Sequence, residues 1–236
     1  MGDLIDTAAS ILIHTERKID SISKNIANIS TPGFKRNIDI SHISEDSNRS
    51  YLFRPSQAFV VDSSTGTLKQ TGNPLDISIV GHGHFLVRHY DQYFFTRAGQ
   101  FSKGPDGSLR DANAMVLQVA GGGDAIMESD DIKILSDGTM LDSGAPVGAI
   151  GVFTSPQGTS ELSLGGLMPA SNEPVAAEEG DFEIRQGMLE SSNVVLSDEM
   201  VAMMANVRQA EGAAQLVRYY DQLIGQAITT FARAGR

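Results

Sequence analysis

The sequence predicts an α+β protein with N- and C-terminal helices that form a coiled-coil domain and a central all-β module of short antiparallel strands. At both ends of the chain, apolar residues recur every seven residues, which is the spacing of helices that bury one face against another helix. Between the ends, short apolar runs alternate with glycine-rich turns. These patterns assign residues 1–36 with 190–236 to a helical assembly domain, 37–58 to a linker and 59–189 to the β module.

The N-terminal helix is predicted over residues 4–29 by two heptad positions. One position is held by Ile5, Leu12, Ile19 and Ile26, and the position three residues later by Ala8, Thr15, Ile22 and Ile29. Asp3 is the expected N-cap, and Pro32 with Gly33 ends the helix.

The central module is predicted from about Phe59 to Ile184 by its strand and turn signals. Runs such as LDISIV, FLVRHY and YFFTR are rich in β-branched and aromatic residues. Turn sequences such as Gly72-Asn73-Pro74 and Asp137-Gly138 separate them. No helical period intervenes, so the module is expected to be all β.

The C-terminal helix is predicted over residues 198–232, with Ser197 as its N-cap. One heptad position is held by Met203, Ala210, Val217, Ile224 and Phe231, and the other by Met200, Val207, Ala214 and Ile228. Asp221 is the polar interruption, and Gly212 and Gly225 each cost about 1 kcal/mol of helix stability.

The composition narrows the class of partner. The chain carries 18 Lys and Arg against 29 Asp and Glu, a formal net charge of −11, which argues against nucleic acid and anionic membranes. It has no Cys, so neither disulfides nor thiolate sites are expected. Acidic Asp3 and Asp6 stand where a signal peptide would be basic, and no apolar run is long enough to span a membrane. We therefore expect no cleaved signal peptide and no membrane span.

The sequence predicts no catalytic, cofactor or metal site. His82 and His84 alternate as strand neighbours do, but no third ligand has matching spacing. No nucleophile or general base has a recognisable partner, and Gly121–Gly123 lacks the Lys-Ser/Thr and the helix of a phosphate loop. A metal-dependent enzyme that uses His82 and His84 is the least favoured alternative.

The heptad patterns allow two interpretations, an internal core or an assembly surface. A helix of about 26 residues measures roughly 39 Å, which is long for a compact domain of this size. Small residues such as Ala202 and Ala205 also lie off the heptad positions and permit close helix contacts on other sides. These features favour assembly with other copies or partners. The predicted assembly residues are Ile5, Leu12, Ile19, Ile22, Ile26, Asn28, Met203, Val207, Ala210, Ala214, Val217, Ile224, Ile228 and Phe231.

Four segments in order along the chain resemble the bacterial flagellar rod and hook family. They are NIANISTPGFK at 25–35, TGNPLDI at 71–77, FTRAGQF at 95–101 and QGMLESSNV at 186–194. The short chain and modest β module most resemble the proximal rod members, with the distal rod members as the alternative. Two positions depart from the family pattern. The family usually has an aromatic residue where this chain has His84, and another near the position of Ala210.

The resemblance implies a structural subunit of the flagellar basal-body rod and no catalysis. Such subunits are exported unfolded by the flagellar type III apparatus, without a cleaved signal, to the periplasmic rod. Their terminal helices order into coiled-coil layers with self-copies and other rod subunits, and the rod transmits torque from motor to hook. A non-flagellar fibre or adaptor of the same helix–β–helix plan is the other alternative.

Overall fold

The computed structural model describes residues 2–42, 56–129, 132–154, 166–170, 174–178 and 180–234. Within these ranges the chain has a long helix at each end and antiparallel strands between them in the sequence. The predicted α+β class is confirmed. None of the described helices is both long and apolar enough to cross a membrane.

The helices are α1 (Gly2–Ala27) and α2 (Leu196–Ala234). The first strands are β1 (Asn37–His42), β2 (Ser56–Val61), β3 (Leu68–Gln70), β4 (Ile77–Gly81), β5 (His84–His89), β6 (Gln92–Thr96), β7 (Ser102–Lys103), β8 (Leu109–Arg110) and β9 (Val116–Leu117). The later strands are β10 (Ile132–Ile134), β11 (Thr139–Asp142), β12 (Ala145–Ala149), β13 (Val152–Thr154), β14 (Leu167–Pro169), β15 (Val175–Ala176), β16 (Phe182–Gln186) and β17 (Met188–Glu190).

The chain divides into two compact units. The helical unit comprises Met1–Ile26, Ile38–Val60 and Val195–Arg236, and the β unit comprises Ala27–Asn37 and Val61–Val194. Residues 37–58, predicted as a linker, contain β1 and the start of β2, which pair with each other; residues 43–55 lie outside the described residues.

Both predicted N-caps are wrong by one or two residues. Asp3 lies inside α1, which begins at Gly2, and Ser197 lies inside α2, which begins at Leu196. The first helical hydrogen bond of α2 runs from the Glu199 N–H to the Val195 carbonyl at 3.2 Å. The helix therefore starts among apolar residues, without a side-chain cap from Ser197.

The β unit is built from antiparallel pairs around one main apolar core. Its largest sheet has the order β14-β6-β5-β9-β8-β7, with β13 also paired to β5. A smaller sheet has the order β10-β11-β12. Ile77, Phe85, Leu117 and Ile150 lie in the core, where Phe85 meets Phe101 edge to face with ring centroids 5.8 Å apart.

The last strands of the β unit pair with its early strands. β16 runs antiparallel to β4 in the register Ile184↔Ile79, and β17 runs antiparallel to β3 in the register Leu189↔Lys69. The segment that leads into α2 is therefore bound to the segment that follows β2. This pairing positions the buried side chains described next.

Candidate assembly interface and terminal clamp

The predicted assembly residues of α1 range from buried to half-buried. Ile22 is buried, whereas Leu12, Ile19 and Ile26 are half-buried. The side chain of Ile5 lies outside the described residues. Asn28 follows the helix, and its carbonyl accepts a hydrogen bond from the Thr31 N–H at 3.0 Å, so it belongs to the turn that ends α1.

The predicted assembly residues of α2 are more open. Met203, Ala210, Ala214 and Val217 are half-buried, and Val207 and Ile224 are each 40% exposed. The side chains of Ile228 and Phe231 lie outside the described residues.

Two further groups of large apolar side chains on α2 are exposed. The first group, here called the N-terminal patch, is Leu196, Met200, Met204 and Val207; the second, the C-terminal patch, is Leu216, Tyr219 and Leu223. At 3.6 residues per turn, the two patches point in directions roughly 140° apart around the helix. Arg208 and Glu211 are exposed polar residues between the two patches along the helix, and Arg218 is an exposed polar residue beside the C-terminal patch. Val201 and Ile224 are also exposed and lie outside both patches, so the exposed apolar surface of α2 spreads around much of the helix.

Sequence reasoning missed most of these patches because it followed one heptad frame along the whole helix. The spacing of Leu196, Met200, Met204 and Val207 is itself a helical i, i+4, i+8, i+11 pattern. A separate count for each half of α2 would have found both patches.

A second site in the β unit joins residues from distant parts of the chain. We call Gly33, Lys35, Gly66, Arg97 and Glu190 the terminal clamp. The Lys35 ammonium donates to Glu190 Oε1 at 2.5 Å, and the Gly66 N–H donates to the same oxygen at 2.8 Å. Arg97 Nη1 lies 3.5 Å from Glu190 Oε2. The Glu190 side chain is 0% exposed, so one buried carboxylate holds two cations and a backbone amide.

Each cation of the clamp also donates to backbone carbonyls. Lys35 Nζ reaches the Ser64 carbonyl at 2.7 Å, and Arg97 reaches the carbonyls of Ile79 at 3.1 Å and Gly81 at 2.7 Å. Both cations are thereby fixed in place as well as balanced by Glu190. Such extra hydrogen bonds are what a buried ion pair needs to offset its loss of hydration.

Two glycines allow backbones to touch at the clamp. Gly33 has a φ of +68°, and a Cβ there would lie 2.1 Å from the carbonyl carbon of Arg97. A Cβ on Gly66 would lie 1.8 Å from the Ser191 carbonyl oxygen. Both contacts are with backbone atoms, which cannot rotate away, so these positions require glycine.

Asn193 extends the clamp by one more set of hydrogen bonds. Its side-chain oxygen accepts from the Arg36 N–H at 2.8 Å, and its amide nitrogen donates to the carbonyls of Asp62 at 2.9 Å and Ser64 at 3.1 Å. The segment that follows α1 and the segment that precedes α2 are therefore joined by backbone, ionic and amide contacts.

Burial dominates the electrostatics of the clamp. Burial lowers the pKa of Lys35 and of Arg97, and the Glu190 carboxylate opposes both shifts. The pKa of His84 falls to about 3, first because of burial and then because of the charges on Arg97 and Lys35. His84 is therefore neutral at physiological pH, and its ring packs against Phe95 with centroids 6.2 Å apart. The neutral His84 ring thus packs as an aromatic side chain would at this position.

His82 and His84 differ in their exposure to solvent. His82 precedes β5 and is exposed, whereas His84 opens β5 and is half-buried. Among the residues that the structure describes, no group of three or more His, Asp or Glu side chains is placed to hold a metal ion.

The motifs found in the sequence meet in space at this clamp. Gly33 and Lys35 come from the first motif, Arg97 from the third and Glu190 with Asn193 from the fourth. The second motif joins the third, because the Ile77 N–H donates to the Gly99 carbonyl at 2.9 Å. The sequence shows the motifs, but it gives no sign that they converge.

Two protein-family models match the two terminal segments of the chain. The family described as Flagella basal body rod protein matches residues 5–35, and the family described as Flagellar basal body rod FlgEFG protein C-terminal matches residues 185–230. The first match covers most of α1 and the N-terminal part of the clamp. The second covers Glu190, Asn193 and most of α2.

Full-length relatives cover the rest. The chain is 30% identical to flagellar basal-body rod protein FlgF of Caulobacter vibrioides over 90% of this chain and 91% of the relative. It is 29% identical to FlgF of Mesorhizobium japonicum over 98% of both chains. It is 26% identical to flagellar basal-body rod protein FlgG of Bacillus subtilis over 90% of this chain and 93% of the relative.

A C-terminal helix with exposed apolar side chains and a β unit joined by the terminal clamp are consistent with a structural protein. The chain belongs to the family of bacterial flagellar basal-body rod proteins, and it is FlgF-like. The predicted family and the predicted role as a structural subunit of the basal-body rod are confirmed.

Proposed function

We propose that this rod subunit assembles through its terminal helices, which form a coiled-coil domain, and transmits torque from motor to hook. The observation that carries the proposal is the exposed apolar surface of α2. Leu216, Tyr219 and Leu223 are each at least 60% exposed in the single chain. Large apolar patches of this kind mark surfaces that another molecule covers.

Burial of the exposed apolar side chains of α2 favours a cooperative interface. Burying one Leu, Met or Val side chain contributes about 1.5–3 kcal/mol relative to leaving it exposed. The N-terminal and C-terminal patches together offer seven such groups (counting Tyr219), and their burial would offset part of the entropy lost when a long helix is fixed among neighbours. Helices that are weak alone become ordered when packed in this way.

The division of α2 into two patches indicates two different neighbours. A single partner helix can lie along only one side of α2, whereas the patches point roughly 140° apart. Each α2 therefore contacts one neighbour through Met204 and its patch and another through Leu223 and its patch. Contacts on two different faces build an extended assembly rather than a closed pair.

The β unit serves as the rigid part that carries load. Its terminal clamp joins the segment after α1 to the segment before α2, through the ion pair of Lys35 with Glu190 and the amide contacts of Asn193. Force applied through either chain end is then borne by the same buried cluster. In this proposal α1 and α2 make the contacts with neighbours, and the β unit, which includes the clamp, carries the load.

We propose a route by which the subunit reaches the rod. The subunit is exported unfolded through the flagellar type III apparatus, without a cleaved signal peptide, and orders in the periplasm against self-copies and other rod subunits. The absence of Cys fits this route, because folding there requires no disulfide.

The proposal is tested by introducing charge into each patch of α2. In a strain that lacks the native gene, we expect Met204→Asp and Leu223→Asp to abolish swimming and incorporation into purified basal bodies. The matched control is Gln215→Asp, which adds the same charge at an exposed polar position of the same helix. Wild-type swimming by both patch variants would rule out assembly through these faces.

A further inference from the structure

We propose that Glu190 is a lock that lets the β unit close only when both of its terminal segments are in place. Glu190 lies near the C-terminal end of that unit and its partner Lys35 near the N-terminal end, 155 residues apart in sequence. The proposal concerns folding of the single chain and does not depend on rod assembly.

The charge balance of the clamp makes Glu190 irreplaceable within the described residues. Lys35 and Arg97 are both 7% exposed at their side chains, and both lie against the same carboxylate. Without that carboxylate, two cations would be buried without a counter-ion, an arrangement that is strongly destabilising in protein interiors. The Gly66 N–H would lose its acceptor as well.

Backbone contacts also require the segment around Glu190 to be docked. The Gly33 N–H donates to the Glu190 carbonyl at 2.8 Å, and the Ser191 N–H donates to the Thr67 carbonyl at 2.9 Å. β17, which carries Glu190, is also the pairing partner of β3. A chain in which residue 190 is not yet docked therefore lacks the ion pair, the strand and the partner of Gly33 at once.

Position in the chain turns this contact into a control on folding. Lys35 and Arg97 are 155 and 93 residues from Glu190 in sequence, and the cost of burying them is offset only when the segment that carries Glu190 has docked. Until then, the open form of the β unit is favoured over a closed form with unpaired buried charge. The lock thus delays closure until nearly all of the β unit is available.

Hydrogen exchange followed by mass spectrometry on the full chain tests the lock. We expect Glu190→Gln, which keeps the side-chain shape and removes the charge, to raise exchange by at least about tenfold across the whole β unit. The increase should include β10, β11 and β12, none of which contributes a residue to the clamp. The matched control is Glu183→Gln, which removes an exposed carboxylate paired with Arg185 on β16 and should leave exchange unchanged.

A graded second variant keeps the test decisive if Glu190→Gln does not fold. Lys35→Met removes one cation and leaves Glu190 with Arg97 and the Gly66 N–H, so we expect a smaller rise in exchange over the same strands. Exchange that rises only at residues 33–36, 62–66 and 190–193, with β10–β12 as in the wild type, would show a local contact and overturn the lock. Wild-type exchange throughout Lys35→Met would overturn it equally.

Discussion

The β unit and α2 differ in where they place charged and apolar side chains. The β unit buries charged groups and gives each a partner, as Lys35 and Arg97 share Glu190. α2 does the reverse and leaves Met204, Leu216 and Leu223 exposed although burial would stabilise them. The comparison teaches that the β unit satisfies its buried charges within one chain, whereas α2 exposes apolar surface that we propose a neighbour covers.

We expect the largest effect from a substitution that tests how tightly the clamp is packed. We expect Gly33→Ala to lower the free energy of unfolding by about 3 kcal/mol or more, because its Cβ would meet the Arg97 backbone at 2.1 Å. Gly72→Ala is the matched control, since Gly72 has a similar φ of +76° and no atom within 4 Å of the added Cβ. Urea unfolding of both variants separates the strain of positive φ, about 1 kcal/mol, from the clash. Equal losses in the two variants would show that the clamp tolerates a side chain.

The next effect compares the two regions by their resistance to protease. We expect trypsin to cut the purified single chain after Arg208 and Arg218 at least about tenfold faster than after Lys35 or Arg97, because the former are exposed on α2 and the latter are buried. Mass spectrometry of the products over time gives the order of cleavage. The resistant fragment should retain residues 190–194, since they complete the clamp. Early loss of these residues with an intact β unit would contradict the described packing.

The smallest expected effect is on the pH dependence of stability and comes from His84. Its pKa is about 3 in the folded chain and near 6.5 in the unfolded chain, so only the unfolded chain binds a proton between these values. Stability is therefore lost as pH falls from about 6.5 towards 3, by up to about 1.4 kcal/mol per pH unit from this group. We expect His84→Phe to reduce that slope while it keeps the packing against Phe95.

Urea midpoints at several pH values between 7 and 4 measure this slope. His82→Gln removes an exposed imidazole outside β5 and serves as the control. A slope in His84→Phe as steep as in the wild type would place the proton uptake on other groups.

The sequence predicted what local patterns determine and missed what distant contacts determine. Heptad spacing located α1 and α2 within a few residues, because burial along one face imposes a period on the helix itself. Turn residues located the β module for a similar local reason. The caps failed because Asp3 and Ser197 have the right chemistry beside a helix that starts earlier.

The terminal clamp could not be predicted from spacing. Nothing near Lys35, Arg97 or Glu190 in the sequence marks them as partners, since the pairing depends on how β17 and β3 meet. The motifs that contain these residues carried the family resemblance, but their convergence is a property of the fold. The patches of α2 lie between these cases, because their spacing is local but changes side halfway along the helix.

Amide hydrogen exchange measured on the single chain and on the subunit within purified basal bodies tests the central claim most directly. We expect residues 196–227 of α2 to exchange rapidly in the single chain and to become strongly protected in the basal body. Residues 61–129 of the β unit should show the same protection in both states. An α2 already protected in the single chain, or unchanged on assembly, would contradict the claim that its exposed faces are completed by neighbours.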